Sequence, residues 1–204
     1  MQLERDFPFA GRCLNAGCGG GLFCPFLEGM PEVTEIMNVD LSGTSDGLKH
    51  LTDRRHRSQD ASLTALPFED ASFDCCLCTE VLEHIPDDNQ AVAELARCLR
   101  PGGRILITVP HPPAPFDPNH VREGYTLPDL TELLNRHGIR VAKSARCFGK
   151  GLAVLLSMWR WQHRVLGRGY RNYMPRGFVR LVGHADRAFP IGAKWDLAVV
   201  GARE

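Results

Sequence analysis

Leu14-Asn15-Ala16-Gly17-Cys18-Gly19-Gly20-Gly21, LNAGCGGG, packs four glycines into eight residues near the start of the chain. Cys13–Ala16 is a short apolar run that reads as a strand ending on the glycines. Leu22, Phe23, Phe26, Leu27 and Met30 then recur at helical spacing. Pro25 falls in the first turn, where proline is tolerated. A strand, a glycine turn and a helix open a βαβ unit. Glycines permit positive φ and close approach to the backbone. A helix N-terminus adds N–H groups and a partial positive charge. The loop therefore suits an anionic or polar group of a nucleotide-like ligand.

The same alternation continues outward. Glu35–Asp40 (EIMNVD) is the second strand, and Thr44 or Ser45 can cap a helix through about Arg54. A short strand near Ser58–Gln59 leads to Asp60. Phe73–Cys78 (FDCCLC) is a strand apolar on both faces. Asp88–Leu99 places Val92, Leu95, Ala96 and Leu99 on one helical face, and Pro101-Gly102-Gly103 stops it. Arg104–Val109 (RILITV) is a β-branched strand. Thr126 and Asp129 resemble a capping box for a helix carrying Leu130, Leu133 and Leu134, which His137-Gly138 closes. Ile139–Phe148 and Lys194–Gly201 read as the last two strands. Alternating strands and helices predict an α/β fold, doubly wound around a mostly parallel sheet with right-handed crossovers. One domain spanning 1–204 is expected.

Composition is that of a soluble globular chain, with 44% apolar and 24% charged residues among 204. No apolar run reaches the roughly 18 residues of a membrane span. The segment MQLERDFPFAGR lacks the apolar core of a signal peptide, so a cytoplasmic location is expected. Cys75 and Cys78 form a C-x-x-C, but side chains three apart on a strand point to opposite faces. No second pair at zinc-finger spacing follows. These cysteines read as small buried hydrophobes, and no metal is assigned.

Two cofactor classes fit a glycine loop. The nicotinamide fingerprint is G-x-G-x-x-G, and its third position here is Leu22. Asp40 ends the second strand, where a carboxylate can take both ribose hydroxyls of either class. The discrimination comes further on, in NVDLS, QDASLTALPFEDASFD, TEVLEHIPDD and LRPGGRILITVP. With LNAGCGGG these five pieces stand in one order over about residues 12–110. The chain in this region resembles the class I S-adenosylmethionine-dependent methyltransferases, in particular the type 11 small-molecule group.

That resemblance implies a seven-stranded sheet with the last strand antiparallel, and S-adenosylmethionine as cofactor. It implies that Gly17, Cys18 and Gly19 line the methionine portion, that Asp40 holds the ribose diol, and that Asn15, Ala16 and Leu41 also belong to the cofactor site. Asp60 would accept from the adenine amino group, with Ala61 giving a backbone N–H. Thr79 and Glu80 would lie beside the amino-acid end. The reaction implied is methyl transfer to oxygen or nitrogen of a small-molecule acceptor, of anionic, sugar-linked or lipid-linked kind. A nicotinamide oxidoreductase is the rival enzyme class. A catalytically silent interaction protein of the same fold is the rival outside enzymes.

Glu80, Glu83 and His84 fall on one face if their turn is helical. Some quinone-type members of the family bind a divalent cation there; a helix-initiating turn is the preferred reading. His84 is also a candidate acceptor contact. The proline-rich segment from His111 should cross the mouth of the site. His111 is the first candidate for a base or acceptor contact and His120 the second, with Tyr125 a further acceptor contact. HVREGYT resembles the family's lead-in to the next helix.

Charge is uneven. Residues 1–150 carry 15 Lys+Arg against 21 Asp+Glu, whereas 151–190 carry seven arginines and one acid, Asp186. Residues 151–190 read as a basic helical insertion between the last two strands, a lid or an interaction element. Arg164 and Arg171 are candidate acceptor contacts, since arginine favours bidentate contact with phosphate or carboxylate. Contact with a membrane surface is a second use; nucleic acid is the least favoured partner.

Overall fold

A computed structural model describes residues 9–41, 43–113, 117–147 and 196–204. In chain order its elements are β1 (Gly11–Ala16), α1 (Cys24–Glu28), β2 (Val33–Asp40), α2 (Thr44–Gly47) and β3 (His56–Asp60). Then come β4 (Phe73–Thr79), a 3-10 turn (Leu82–His84), α3 (Asp88–Cys98), β5 (Leu99–Pro110), α4 (Leu127–Arg136), β6 (Ile139–Cys147) and β7 (Asp196–Arg203). The seven strands form one sheet in the order β3-β2-β1-β4-β5-β7-β6. β1 to β5 are parallel, and β7 runs antiparallel to both β5 and β6. This is the doubly wound α/β architecture that the alternation predicts.

β4 shows why FDCCLC is apolar throughout: it lies between β1 and β5 with both faces covered. Cys76 and Cys78 join the layer that includes Val92, Leu95 and Leu130. Cys75 and Leu77 join the opposite layer, with Leu27 and Ile36. The C-x-x-C pair thus faces two ways, and Cys13, Cys18, Cys24, Cys75, Cys76, Cys78 and Cys98 are free thiols in the interior. Burial pushes the Cys18 and Cys24 thiols up to about 12. At the sheet edge β3 is polar, HRSQD, which protects an exposed ladder from adventitious pairing.

Local signals set most helix ends. Thr126 Oγ1 accepts from Asp129 N at 3.4 Å, so the capping position stands at the start of α4. Asp87 caps α3 by accepting from Gln90 N at 2.9 Å, a cap the sequence reading did not single out. Each such cap contributes about 1 kcal/mol. Two helices are shorter than expected. α1 stops at Glu28, ahead of Gly29, instead of running to Met30. α2 covers four residues and does not reach Arg54. There Asp53 Oδ1 accepts from Arg55 N at 2.9 Å and closes a tight turn in place of a helical one. Leu99-Arg100-Pro101-Gly102-Gly103 ends α3 and already belongs to β5, whose register with β4 shifts between the Phe73–Leu99 and Cys75–Arg104 pairs.

Strand order reverses between β1 and β4, and ligands of such sheets bind at the carboxyl ends of the strands beside that point. The expected helical insertion 151–190, with Arg164 and Arg171, lies outside the described residues. No helix among the described residues is long and apolar enough to cross a membrane.

Candidate functional site

The glycine run leaves β1 at the switch point and passes beside the segment that leaves β4. Gly17 has φ +68°, and a Cβ there would sit 2.3 Å from Val81 Cγ2. Glycine is needed on both counts. Gly19 also has positive φ (+50°), and a Cβ there would meet no described atom within 4 Å. The loop is therefore tight against the protein at Gly17 and opens onto space at Gly19.

Its N–H groups are largely used by the fold. Gly17 N and Cys18 N both donate to Val39 O, at 2.8 and 3.0 Å. Gly19 N donates to Asp40 Oδ2 at 2.7 Å, and Leu41 N donates to Asp40 Oδ1 at 2.8 Å. α1, with only five residues, begins beyond the loop at Cys24. The expected helix N-terminus with open donors is thus not what faces a ligand. The loop instead presents a side-chain-free main chain beside the Asp40 carboxylate.

Asp40 and Asp60 stand side by side, as partners at the carboxyl ends of β2 and β3. Asp60 Oδ2 accepts from Gly43 N at 3.0 Å. Leu41 is strongly exposed, at 73%, and lies in the same corner. The donor role expected of Ala61 is corrected: its N–H is given to Asp40 O at 2.9 Å, continuing the ladder. Asn15 is buried, and its Nδ2 donates to Asn38 Oδ1 at 2.8 Å. It braces β1 against β2 beneath the loop and is covered from above. Ala16 is likewise buried.

Across the switch point, Thr79 is buried at the end of β4. Glu80 follows with φ +54°, a left-handed conformation that costs a residue with a Cβ roughly 1–2 kcal/mol. That turn points its carboxylate at Thr108, whose Oγ1 donates to Glu80 Oε1 at 2.8 Å. Burial raises the Glu80 carboxyl, while the Thr108 hydrogen bond and His84 oppose the shift. Glu83, on the 3-10 turn, has no exposed surface, and neither of its oxygens finds a hydrogen-bond partner. Burial, then the neighbouring Glu80, pushes it up to about 8. Asp196, at the start of β7, is raised by burial and by Glu80. The sequence reading valued Glu83 as a turn residue and did not foresee Asp196, because β7 reaches this place only through the sheet order.

The histidines divide. His111 follows β5, and its Nδ1 lies 2.6 Å from Pro112 O. A carbonyl only accepts, so Nδ1 carries the proton and a neutral ring keeps its lone pair on Nε2. His84 Nδ1 is likewise tied to Asn119 O at 3.0 Å. His120 is brought against it, ring centroids 4.7 Å apart and nearly perpendicular.

Tyr125 is corrected as an acceptor contact. It is buried, donates to Asp88 Oδ2 at 2.7 Å and receives from Arg122 Nη1 at 2.9 Å. Arg122, a polar member of the segment after β5 to which the sequence assigns no role, also donates to Leu82 O, Ile85 O and Pro86 O. It clamps the loop after β5 onto the turn after β4.

A family model described as methyltransferase domain matches residues 14–107. A probable S-adenosylmethionine-dependent methyltransferase of Mycolicibacterium smegmatis is 34% identical over 157 residues, which are 72% of this chain and 59% of the relative. A ubiquinone biosynthesis O-methyltransferase of Idiomarina loihiensis is 35% identical over 114 residues, 53% of this chain and 46% of the relative. The chain thus spans about half the length of these curated relatives. An S-adenosylmethionine-dependent methyltransferase structure from Mesorhizobium loti shares the fold, with a TM-score of 0.65 at 17% identity, covering 99% of this chain and 96% of that one. With the strand order, the glycine loop at the switch point and the matched motifs in register, the chain belongs to the class I S-adenosylmethionine-dependent methyltransferases.

Proposed function

We propose that this chain transfers a methyl group from S-adenosylmethionine to a hydroxyl oxygen of a small-molecule acceptor. The observation that carries the reading is Asp40. Its two oxygens splint Gly19 and Leu41, so the carboxylate is held at the rim of the open cradle. Such an arrangement fits the cofactor: main chain bare of side chains, with a fixed acceptor for a ribose diol next to it. The relative that is a ubiquinone biosynthesis O-methyltransferase supports oxygen as the acceptor atom.

When bound, S-adenosylmethionine supplies a methyl group on a positively charged sulfur. Asp40 takes the ribose hydroxyls, Asp60 accepts from the adenine amino group, and Leu41 covers an adenine face. Gly17, Cys18 and Gly19 let the methionine portion lie along main chain, with Thr79 and Glu80 bordering its amino-acid end. Alignment by such contacts is worth roughly 7–11 kcal/mol in favourable systems. His111 takes the acceptor's hydroxyl proton at Nε2, the nitrogen its Pro112 contact leaves able to accept.

Calorimetry with S-adenosylmethionine, S-adenosylhomocysteine and NAD tests the cofactor assignment. Saturable binding of the first two and none of the third is expected. Transfer of a labelled methyl group to a panel of phenols, hydroquinones and amines then tests the acceptor atom. Absence of binding by the sulfur nucleosides overturns the proposal, and labelling confined to amines overturns the choice of oxygen.

A further inference from the structure

We propose that Glu83, His84 and His120 form a binding site for one divalent transition-metal ion. One ligand atom from each lies within 4.8 Å of the others. His84 Nε2 and Glu83 Oε1 are 3.7 Å apart, too far for a hydrogen bond and close to the spacing of two ligands on one ion. With metal–ligand bonds of about 2.0–2.1 Å, ligands on one tetrahedral or octahedral face stand roughly 2.8–3.4 Å apart. On binding, the His120 ring would turn toward the other two ligand atoms.

Three independent features point at the same volume. First, Glu83 is fully buried with neither oxygen in a hydrogen bond, and a buried polar group so placed costs free energy that a bound cation would offset. Second, the Asn119 carbonyl fixes the proton of His84 on Nδ1, which leaves the Nε2 lone pair on the Glu83 side. A backbone carbonyl on the far nitrogen is the usual outer partner of a metal-binding imidazole. Third, the loop that carries His120 is fastened there: Val121 N donates to Glu83 O at 3.0 Å, and His120 N donates to Asp117 O at 3.1 Å.

The set differs from the Glu80–Glu83–His84 face that a helical turn would make. Glu80 is turned onto Thr108, and an imidazole from another loop takes the third place. Two imidazoles and one carboxylate suit Zn2+, Co2+, Fe2+ or Mn2+ better than Mg2+ or Ca2+, which favour all-oxygen sites. The inference is independent of methyl transfer and is tested without it.

Chelator-treated, desalted protein is titrated with Co2+, following its visible absorption, and metal content is measured after gel filtration. One Co2+ per chain is expected, displaced by Zn2+ and not by Mg2+. His120→Ala should weaken binding at least about 100-fold, since even outer partners of metal ligands are worth 10–100-fold. Glu83→Gln should abolish binding. His137→Ala removes a surface imidazole bonded to Asn89 and should bind as wild type. No saturable Co2+ signal in the wild type, or wild-type affinity in His120→Ala, overturns the proposal. Should Glu83→Gln fail to fold, the two histidine variants decide.

Discussion

Asp40→Asn is the sharpest test of the cofactor corner. In the wild type, one carboxylate oxygen receives Gly19 N–H at 2.7 Å and the other receives Leu41 N–H at 2.8 Å. An asparagine offers one acceptor and one NH2 group, so one backbone donor now faces another donor. A hydrogen bond to a charged group contributes about 1.5–3 kcal/mol. Losing one such bond from the splint, with the negative charge that would hold a ribose diol, should cost binding by the same order. At about 1.4 kcal/mol per decade, the dissociation constant for S-adenosylmethionine should rise roughly 10- to 150-fold. Calorimetry gives the affinity, and a thermal melt checks the fold. The melt should move little, because both donors lie where water can reach them. Asp60→Asn is the comparison: Gly43 N, which donates to Asp60 Oδ2, can still donate to an amide oxygen, so a smaller loss is expected. An affinity for S-adenosylmethionine within twofold of wild type in Asp40→Asn, with an unchanged melt, would refute the placement of the cofactor at this loop.

Four further outcomes follow from the same packing. Gly17→Ala combines a left-handed residue with a Cβ 2.3 Å from Val81 Cγ2, and should lose roughly 2–5 kcal/mol in urea denaturation; adding Val81→Ala should recover the steric part. Tyr125→Phe strands the Asp88 and Arg122 partners and should cost about 1–2 kcal/mol without changing the KM for any acceptor; a raised KM would return the hydroxyl to the acceptor site. Arg55→Lys gives up contacts to Glu28 O, Met30 O and Val33 O, with an expected loss of about 2–3 kcal/mol by chemical denaturation. The Arg55 guanidinium holds Asp53 at about 2, below the ordinary 3.8, so this pair's stabilisation is full above pH 4 and fades as pH falls toward 2. In Arg55→Ala the acid limb of the stability curve between pH 4 and 2 should therefore be shallower than in wild type, and equal slopes would remove Asp53 from the account.

What the sequence conveyed well was whatever is encoded within a few residues. Strand β4 announces its central place because every position of FDCCLC must face apolar packing on one side or the other. The Thr126 cap and the glycine turn at residue 17 are local rules written in local residues. Motif order conveyed the family, but not which atoms remain able to meet a ligand. Ala61 shows why: its N–H was assigned to adenine by motif, yet parallel pairing of β2 and β3 gives the same N–H to Asp40 O. Tyr125 fails as an acceptor contact for a similar reason, since its hydroxyl is satisfied by Asp88, 37 residues away. The clustering of His84 with His120 rests on a loop closure that no periodicity carries.

The Ala61 contact lies on the β2–β3 side of the switch point and the Tyr125 contact on the β4–β5 side, and the two sides of this sheet edge host different chemistry. On the β1–β2–β3 side, backbone donors are consumed by Val39, by Asp40 O and by the Asp40 carboxylate, so the surface left is a bare main chain framed by carboxylates. That suits a neutral sugar and base bearing a cationic sulfur. On the β4–β5 side the loops are too irregular to satisfy one another through a ladder, and Arg122 does the work instead, binding three carbonyls of the turn that carries Glu83 and His84. With the turn pinned in this way, Glu83 lies fully inside, and neither of its oxygens is in a hydrogen bond. Arg122→Lys, which presents one ammonium to the same carbonyls, should therefore loosen the turn and weaken Co2+ binding while leaving S-adenosylmethionine affinity within a few-fold of wild type. Equal losses for both ligands would mean that the two halves of the edge are one site, held together by this arginine.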